Sequence, residues 1–170
     1  VTSIEEIKET DVEKIYSIEN NENISAVSPK LIGVGQVQAG DLKSEVLLVG
    51  VIPEEERKIK SWWDIEGEFP IEDNEILAGR DVAEKLNLST GSEVSIQDKV
   101  FTVTGILRLT GSQDDSALIA PISAVEEILG KHGKVSLIEV SALCSDCPID
   151  ELVSQIAFLL PEVNVRAVRQ

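Results

Sequence analysis

The sequence predicts an α+β fold in which the two ends of the chain build one α/β unit and the middle forms a β-rich insertion. Three observations predict it. Residues 11–38 read as a helix followed by extended chain, and residues 148–169 repeat that order. Between them lie short alternating apolar stretches separated by Gly, Asn, Asp and Ser. No repeat of fixed period runs through the chain, so a solenoid is excluded. The expected division is 1–52 with 133–170 as the α/β unit and 53–132 as the insertion.

Each element has a local reason. Thr10-Asp11-Val12-Glu13 reads as a capping box, in which the Thr10 hydroxyl accepts the Glu13 N–H and the Glu13 side chain returns the bond. Val12, Ile15 and Ile18 then lie three apart, giving one apolar helix face. Asn20-Asn21 ends that helix. Ile24, Ala26 and Ser28 begin an extended segment that Pro29 confines to an edge or a bulge. Residues 31–38 and 44–52 read as strands joined by Ala39-Gly40-Asp41. Residues 53–74, with two prolines, Gly67 and Trp62-Trp63, read as irregular.

A strand at 75–78 and a helix at 81–87 follow, the helix stopping in Asn87-Leu88-Ser89-Thr90-Gly91. Val94 and Ile96 alternate on one hairpin arm, with Phe101, Val103 and Gly105 on the other. Residues 116–120 are a strand. Pro121 and Ser123 start a helix that ends at Gly130. Val135 to Leu143 is strand-like. Pro148 opens an amphipathic helix of Leu152, Val153, Ile156 and Leu159-Leu160, which Pro161 stops. Val163, Val165 and Ala167 alternate as a final strand.

Composition narrows the function. The chain has 170 residues, 42% hydrophobic and 27% charged, the ordinary balance of a globular protein with a real core. Its 31 acidic and 15 basic side chains give a net charge of −16, which repels phosphate backbones, so no nucleic acid is expected as a partner. The apolar runs at 46–53 and 117–125 fall well short of the ~20 residues that cross a bilayer. The chain starts at Val1 and contains no Met, which we read as a segment of a longer protein.

The ordered motifs Ile24-Ser25-Ala26-Val27-Ser28-Pro29, Leu48-Val49-Gly50-Val51-Ile52-Pro53, Ile76-Leu77-Ala78-Gly79-Arg80-Asp81-Val82-Ala83 and Leu88-Ser89-Thr90-Gly91 carry a family resemblance. Phe101-Thr102-Val103-Thr104-Gly105-Ile106-Leu107 and Thr110-Gly111-Ser112-Gln113-Asp114-Asp115-Ser116-Ala117 continue it. Their order resembles the extracytoplasmic core domain of MacB/FtsX-like ABC transporter permeases. The resemblance implies a porter-like α/β subdomain carrying a β-rich, sabre-like insertion, placed between the first and second membrane helices. It implies a non-catalytic domain that transmits conformational change and contacts substrate or a partner protein. It further implies a membrane-embedded remainder, a separate ATPase and two copies side by side in the whole transporter. The chain has no Gly-x-x-x-x-Gly-Lys-Ser/Thr loop of its own.

Conspicuous residues carry several readings. Cys144 and Cys147, three apart before a helix, fit a local disulfide of an oxidising compartment, two inert thiols, or redox or metal chemistry. A complete zinc site is not available within the chain, which has only His132 besides this pair. Asp114-Asp115 invites an acid/base or cation-binding reading, but neighbours on a strand point apart, so a capped turn into the strand at 116–120 is preferred. Glu54-Glu55-Glu56 reads as a solvated loop or helix start. Trp62-Trp63 reads as a partner contact or as a lid over the insertion. His132, beside Gly130 and Gly133, reads as an exposed loop residue, which leaves no Ser/His/Asp set. We therefore expect no enzyme, no cofactor and no metal. Two alternatives stand beside the permease reading: a stand-alone cell-envelope module with a pocket between its two parts, and a thiol-disulfide protein using Cys144 and Cys147.

Overall fold

A computed structural model describes residues 7–19, 21–142, 149–161, 164, 165 and 167. The chain runs β1 (Ile7–Lys8), α1 (Glu9–Ile15), β2 (Ile24–Ala39), β3 (Leu42–Val51), α2 (Pro53–Ile59), β4 (Ile65–Gly67), β5 (Glu75–Ala78) and α3 (Arg80–Lys85). It continues through β6 (Glu93–Ile96), β7 (Lys99–Leu107), β8 (Ala117–Pro121), α4 (Ile122–Leu129), β9 (Lys134–Val135), β10 (Leu137–Ala142) and α5 (Ile149–Leu159). The fold is mixed helix and sheet, as expected.

The main sheet runs β10-β2-β3-β8-β5-β7-β4. β6 pairs with both β7 and the far end of β2, so β2, β3, β8, β5, β7 and β6 close into a hydrogen-bonded ring. β2 and β3 form a hairpin with Ala39 opposite Leu42, and Gly40 supplies the left-handed turn residue at φ 58°. Gln97 and Asp98, at φ 49° and 64°, turn β6 into β7.

β2 is one strand of 16 residues where the sequence suggested two segments. Its first part pairs only with β10, from Ile24 to Lys30, and β3 takes over at Leu31. Pro29 lies in the single-partnered part, where its missing N–H leaves no ladder bond unmade.

Alternation divides the apolar side chains of the ring between two faces. Leu31, Val37, Leu48, Ile76, Ala78, Phe101, Val103 and Leu118 share the first, joined by Val82 and Ala83 of α3, Leu86 just after it, and Ala124, Val125 and Ile128 of α4. Val49, Val51, Leu77, Leu107, Ala117 and Ile119 share the second, with Phe69 and half-buried Trp63 and Ile65 against them. A third cluster joins the two ends of the chain: Ile15 and Ile18, Val27, and Leu152 and Ile156 of α5, with Leu160.

Three local expectations need correction. Helix α1 starts at Glu9, and its box runs from the Lys8 N–H to Asp11 Oδ2 at 3.2 Å, not from Thr10 to Glu13. It also stops at Ile15, and Asn21 Nδ2 donates to the Tyr16 carbonyl beyond it. Residues 53–74 are not irregular throughout: Pro53 starts α2, where a missing N–H costs nothing, and β4 follows. Of the expected last strand, Val163 lies outside the described residues, while Val165 and Ala167 belong to no strand. Val165 packs on the third cluster instead.

Candidate functional site

The charged centre of the molecule sits where β2 changes partners. Lys30 is the last residue paired to β10, and only 4% of it is exposed. Its Nζ lies 2.8 Å from Glu56 Oε1 on α2 and 2.8 Å from Glu139 Oε1 on β10. Glu56 is buried, and its Oε2 accepts the Ser28 hydroxyl at 2.6 Å. Beside it, Glu55 Oε2 accepts the Val27 N–H at 3.1 Å. Burial alone would depress the Lys30 ammonium; the charges and hydrogen bonds of Glu56 and Glu139 outweigh it and hold the group above its usual value.

Lys60 extends this centre outward. Its Nζ is 3.8 Å from Asp114 Oδ2 and 3.9 Å from Glu139 Oε2, and 5.7 and 5.8 Å from the rings of Trp62 and Trp63. The two tryptophans have separate surroundings. Trp63 stacks on Phe69 with centroids 6.4 Å apart and covers the second face. Its Nε1 is buried without a hydrogen-bond partner among the described residues. Trp62 meets Trp63 edge-on at 6.5 Å and stays 51% exposed.

The other sequence candidates join this centre only in part: Asp114 through Lys60, and Glu55 and Glu56 from the start of α2. Asp114 and Asp115 form a short 3-10 turn before β8. Asp115 is buried and accepts the Thr110 N–H and hydroxyl, both at 2.8 Å, and the Gly111 N–H at 2.8 Å. Burial pushes its carboxyl up, and those hydrogen bonds win, holding it below its usual value. The pair is turn architecture, as preferred. Gly79 passes so close that an added Cβ would sit 2.3 Å from the Asp114 carbonyl oxygen. Glu54-Glu55-Glu56 is the start of α2, but Glu56 is not solvated: it faces inward to Lys30. His132 is exposed, with Nδ1 3.7 Å from Glu126. Cys144 and Cys147 lie outside the described residues. Among the described residues no His/Cys/Asp/Glu cluster converges as a metal site would require.

Sequence reasoning missed the roles of Lys30, Ser28 and Glu139, and read Glu56 as solvated. One signal was present: Lys30 is the single charged residue in the stretch from Ile24 to Ala39, and a buried lysine requires an acidic partner. What the centre offers is paired charge closed off from solvent, with Ser28 and Glu56 both buried. It ties α2, β2 and β10 together, and it leaves an exposed tryptophan beside the tie.

The model of the MacB-like periplasmic core domain matches residues 2–168. An ABC transporter permease of Methanocaldococcus jannaschii is 31% identical over 137 residues, 75% of this chain and 34% of its own length. This chain thus spans about a third of that relative. The extracellular domain of the noncanonic ABC-type transporter YknZ from Gram-positive bacteria superposes with a TM-score of 0.74 at 16% identity, over 92% of this chain and 83% of its own. The periplasmic region of MacB from Actinobacillus actinomycetemcomitans gives 0.70 at 16% identity, over 90% and 74%. No described helix is long and apolar enough to cross a membrane. The chain belongs to the MacB-like periplasmic core domain family, the extracytoplasmic domains of ABC transporter permeases.

Proposed function

We propose that this domain is a non-catalytic relay, which passes ATP-driven motion of a permease to a substrate or partner protein on the far side of the membrane. The observation that carries this reading is β2. One unbroken strand serves β10 at one end and the ring at the other, with the Lys30 tie at the changeover. A hinge needs a loop or element end to absorb backbone rotation, and β2 supplies none between Ile24 and Ala39. Motion entering at the α1–α5 end therefore leaves at the hairpin tip as rigid-body displacement.

The division into a porter-like unit, 1–52 with 133–170, and an insertion, 53–132, belongs to this proposal. The third cluster, built from both chain ends, supports it. A membrane-embedded remainder, an ATPase and a second copy alongside are the partners it requires, and family membership supports the first two. Trp62, exposed beside Trp63, is the proposed contact for a partner. Cys144 and Cys147 are proposed as a local disulfide, on their spacing and the oxidising compartment; mass spectrometry after alkylation without reductant tests it.

The relay is tested in the full permease with its ATPase in lipid nanodiscs. Unnatural amino acids carry labels at exposed Glu22 and Asp41, at opposite ends of β2. Their separation should stay constant through the nucleotide cycle, while both move relative to a headgroup probe. Labels that stay still in every nucleotide state would remove the proposal.

A further inference from the structure

We infer that residues 53–63 form a strap held down by charge, which opens by itself while the sheet beneath stays folded. The fully buried side chain of α2 is a carboxylate, Glu56. Its attachments to the sheet are Glu56 to Lys30 and Ser28, and Glu55 to the Val27 N–H. At its end, Lys60 reaches Asp114 and Glu139 only at 3.8 and 3.9 Å. By contrast α4 buries Ala124, Val125 and Ile128. Removing apolar surface from water favours closure in proportion to area. A buried ion pair behaves differently, because the hydration lost on closing offsets most of the attraction. Opening the strap gives Lys30 and Glu56 back to water.

Two further observations locate the ends of the moving part. Beyond Trp63 the chain is fastened to β7: the Arg108 N–H donates to the Asp64 carbonyl and the Glu68 N–H to that of Thr104. Before Pro53, β3 is fastened to β8 through Val51. The strap therefore swings between Ile52 and Asp64. Trp63 is its one side chain in the second-face cluster, and its indole N–H lacks a partner among the described residues while the strap is closed. Opening hydrates that N–H and uncovers Val49, Val51 and Ile119.

The test compares the chain with Glu56→Gln, which keeps the shape and removes the charge, both in a Trp62→Phe background so that Trp63 alone is fluorescent. Hydrogen exchange follows the Lys60 amide, bonded to the Glu56 carbonyl, and the Gly79 amide, bonded to that of Ala117. Glu56→Gln should speed Lys60 exchange by about tenfold, leave Gly79 unchanged, and make Trp63 more accessible to acrylamide. If Lys60 speeds up while Trp63 stays shielded, only the helix frays, and the strap is wrong. If Gly79 speeds up equally, the sheet loosens as a whole, and the strap is again wrong. Unchanged exchange and quenching also overturn it. Should Glu56→Gln fail to fold, Lys60→Met carries the same measurements, since Lys60 lies at the strap's open end.

Discussion

On the first face of the ring, α3 and α4 lay Val82, Ala83, Ala124, Val125 and Ile128 against Leu48, Ile76 and Leu118. On the second, the helix that lies alongside buries one side chain, and that side chain is Glu56. The first cover is held by area, which tolerates small shifts and favours closure throughout. On the second, α2 is held by directional contacts among Lys30, Glu56, Glu139 and Ser28, which are made or lost together, while Phe69, Trp63 and Ile65 cover the apolar cluster beside it. A cover that must stay shut and a cover that can move are thus built from different residue types on one sheet.

The sharpest way to break this contrast is at the tie. Lys30→Met leaves Glu56 buried without its cation and should cost about 3–5 kcal/mol, read from urea unfolding. Adding Glu56→Leu should recover most of that loss, because an apolar pair of similar volume replaces the ion pair. A double variant as weak as the single one would mean that shape, not charge, holds α2 down.

Leu118→Ala tests the first face. It removes a side chain only 1% exposed and should cost about 2–5 kcal/mol, with no rescue by any charge change. Gly50→Ala probes the same face from the other direction. Its Cβ would lie 2.9 Å from Val125 and 3.0 Å from the Ile122 backbone, so overpacking should cost about 1–3 kcal/mol and loosen α4 first. A stability unchanged by Gly50→Ala would show slack between α4 and β3.

pH separates the two charged environments. Asp115 has a lowered folded pKa, so its contribution is full above the unfolded value, about 3.9, and is lost as pH falls through the folded one. Lys30 has a raised folded pKa, so its contribution is full below about 10.4 and is lost as pH rises through the folded one. Asp115→Asn should lower the urea midpoint at pH 6, with the gap closing on acidification below about pH 3.9. A gap independent of pH would mean that the Asp115 carboxylate charge plays no part. The smallest expected effect is at Trp63→Phe: losing ring area and losing an unpaired buried N–H oppose each other, leaving a change within about 1 kcal/mol by thermal unfolding.

Elements with local causes were legible. The β2–β3 and β6–β7 hairpins follow from turn residues between alternating apolar positions, and α4 follows from its start after Pro121 and its stop at Gly130. α2 was legible only as a helix start at Glu54-Glu55-Glu56 set against a loop, because it has no apolar stripe: its inward residue is Glu56, where three acidic residues in a row read as solvated. The aromatic pair was visible, but its split into a packed Trp63 and an exposed Trp62 depended on Phe69 and Lys60 around it. The charged centre was hidden for a plainer reason. Ser28 and Glu56 are 28 residues apart and Lys30 and Glu139 are 109 apart, so no local pattern links them.

By itself the sequence determined the mixed helix-and-strand composition, the positions of most turns and the family, since these rest on near neighbours and on motif order. Only the tertiary structure decided that β2 runs unbroken past Pro29, that six strands close into a ring, and that Lys30 is buried between two carboxylates. Those features depend on which distant segments meet. A buried charge is tolerable only when its partner arrives from elsewhere in the chain.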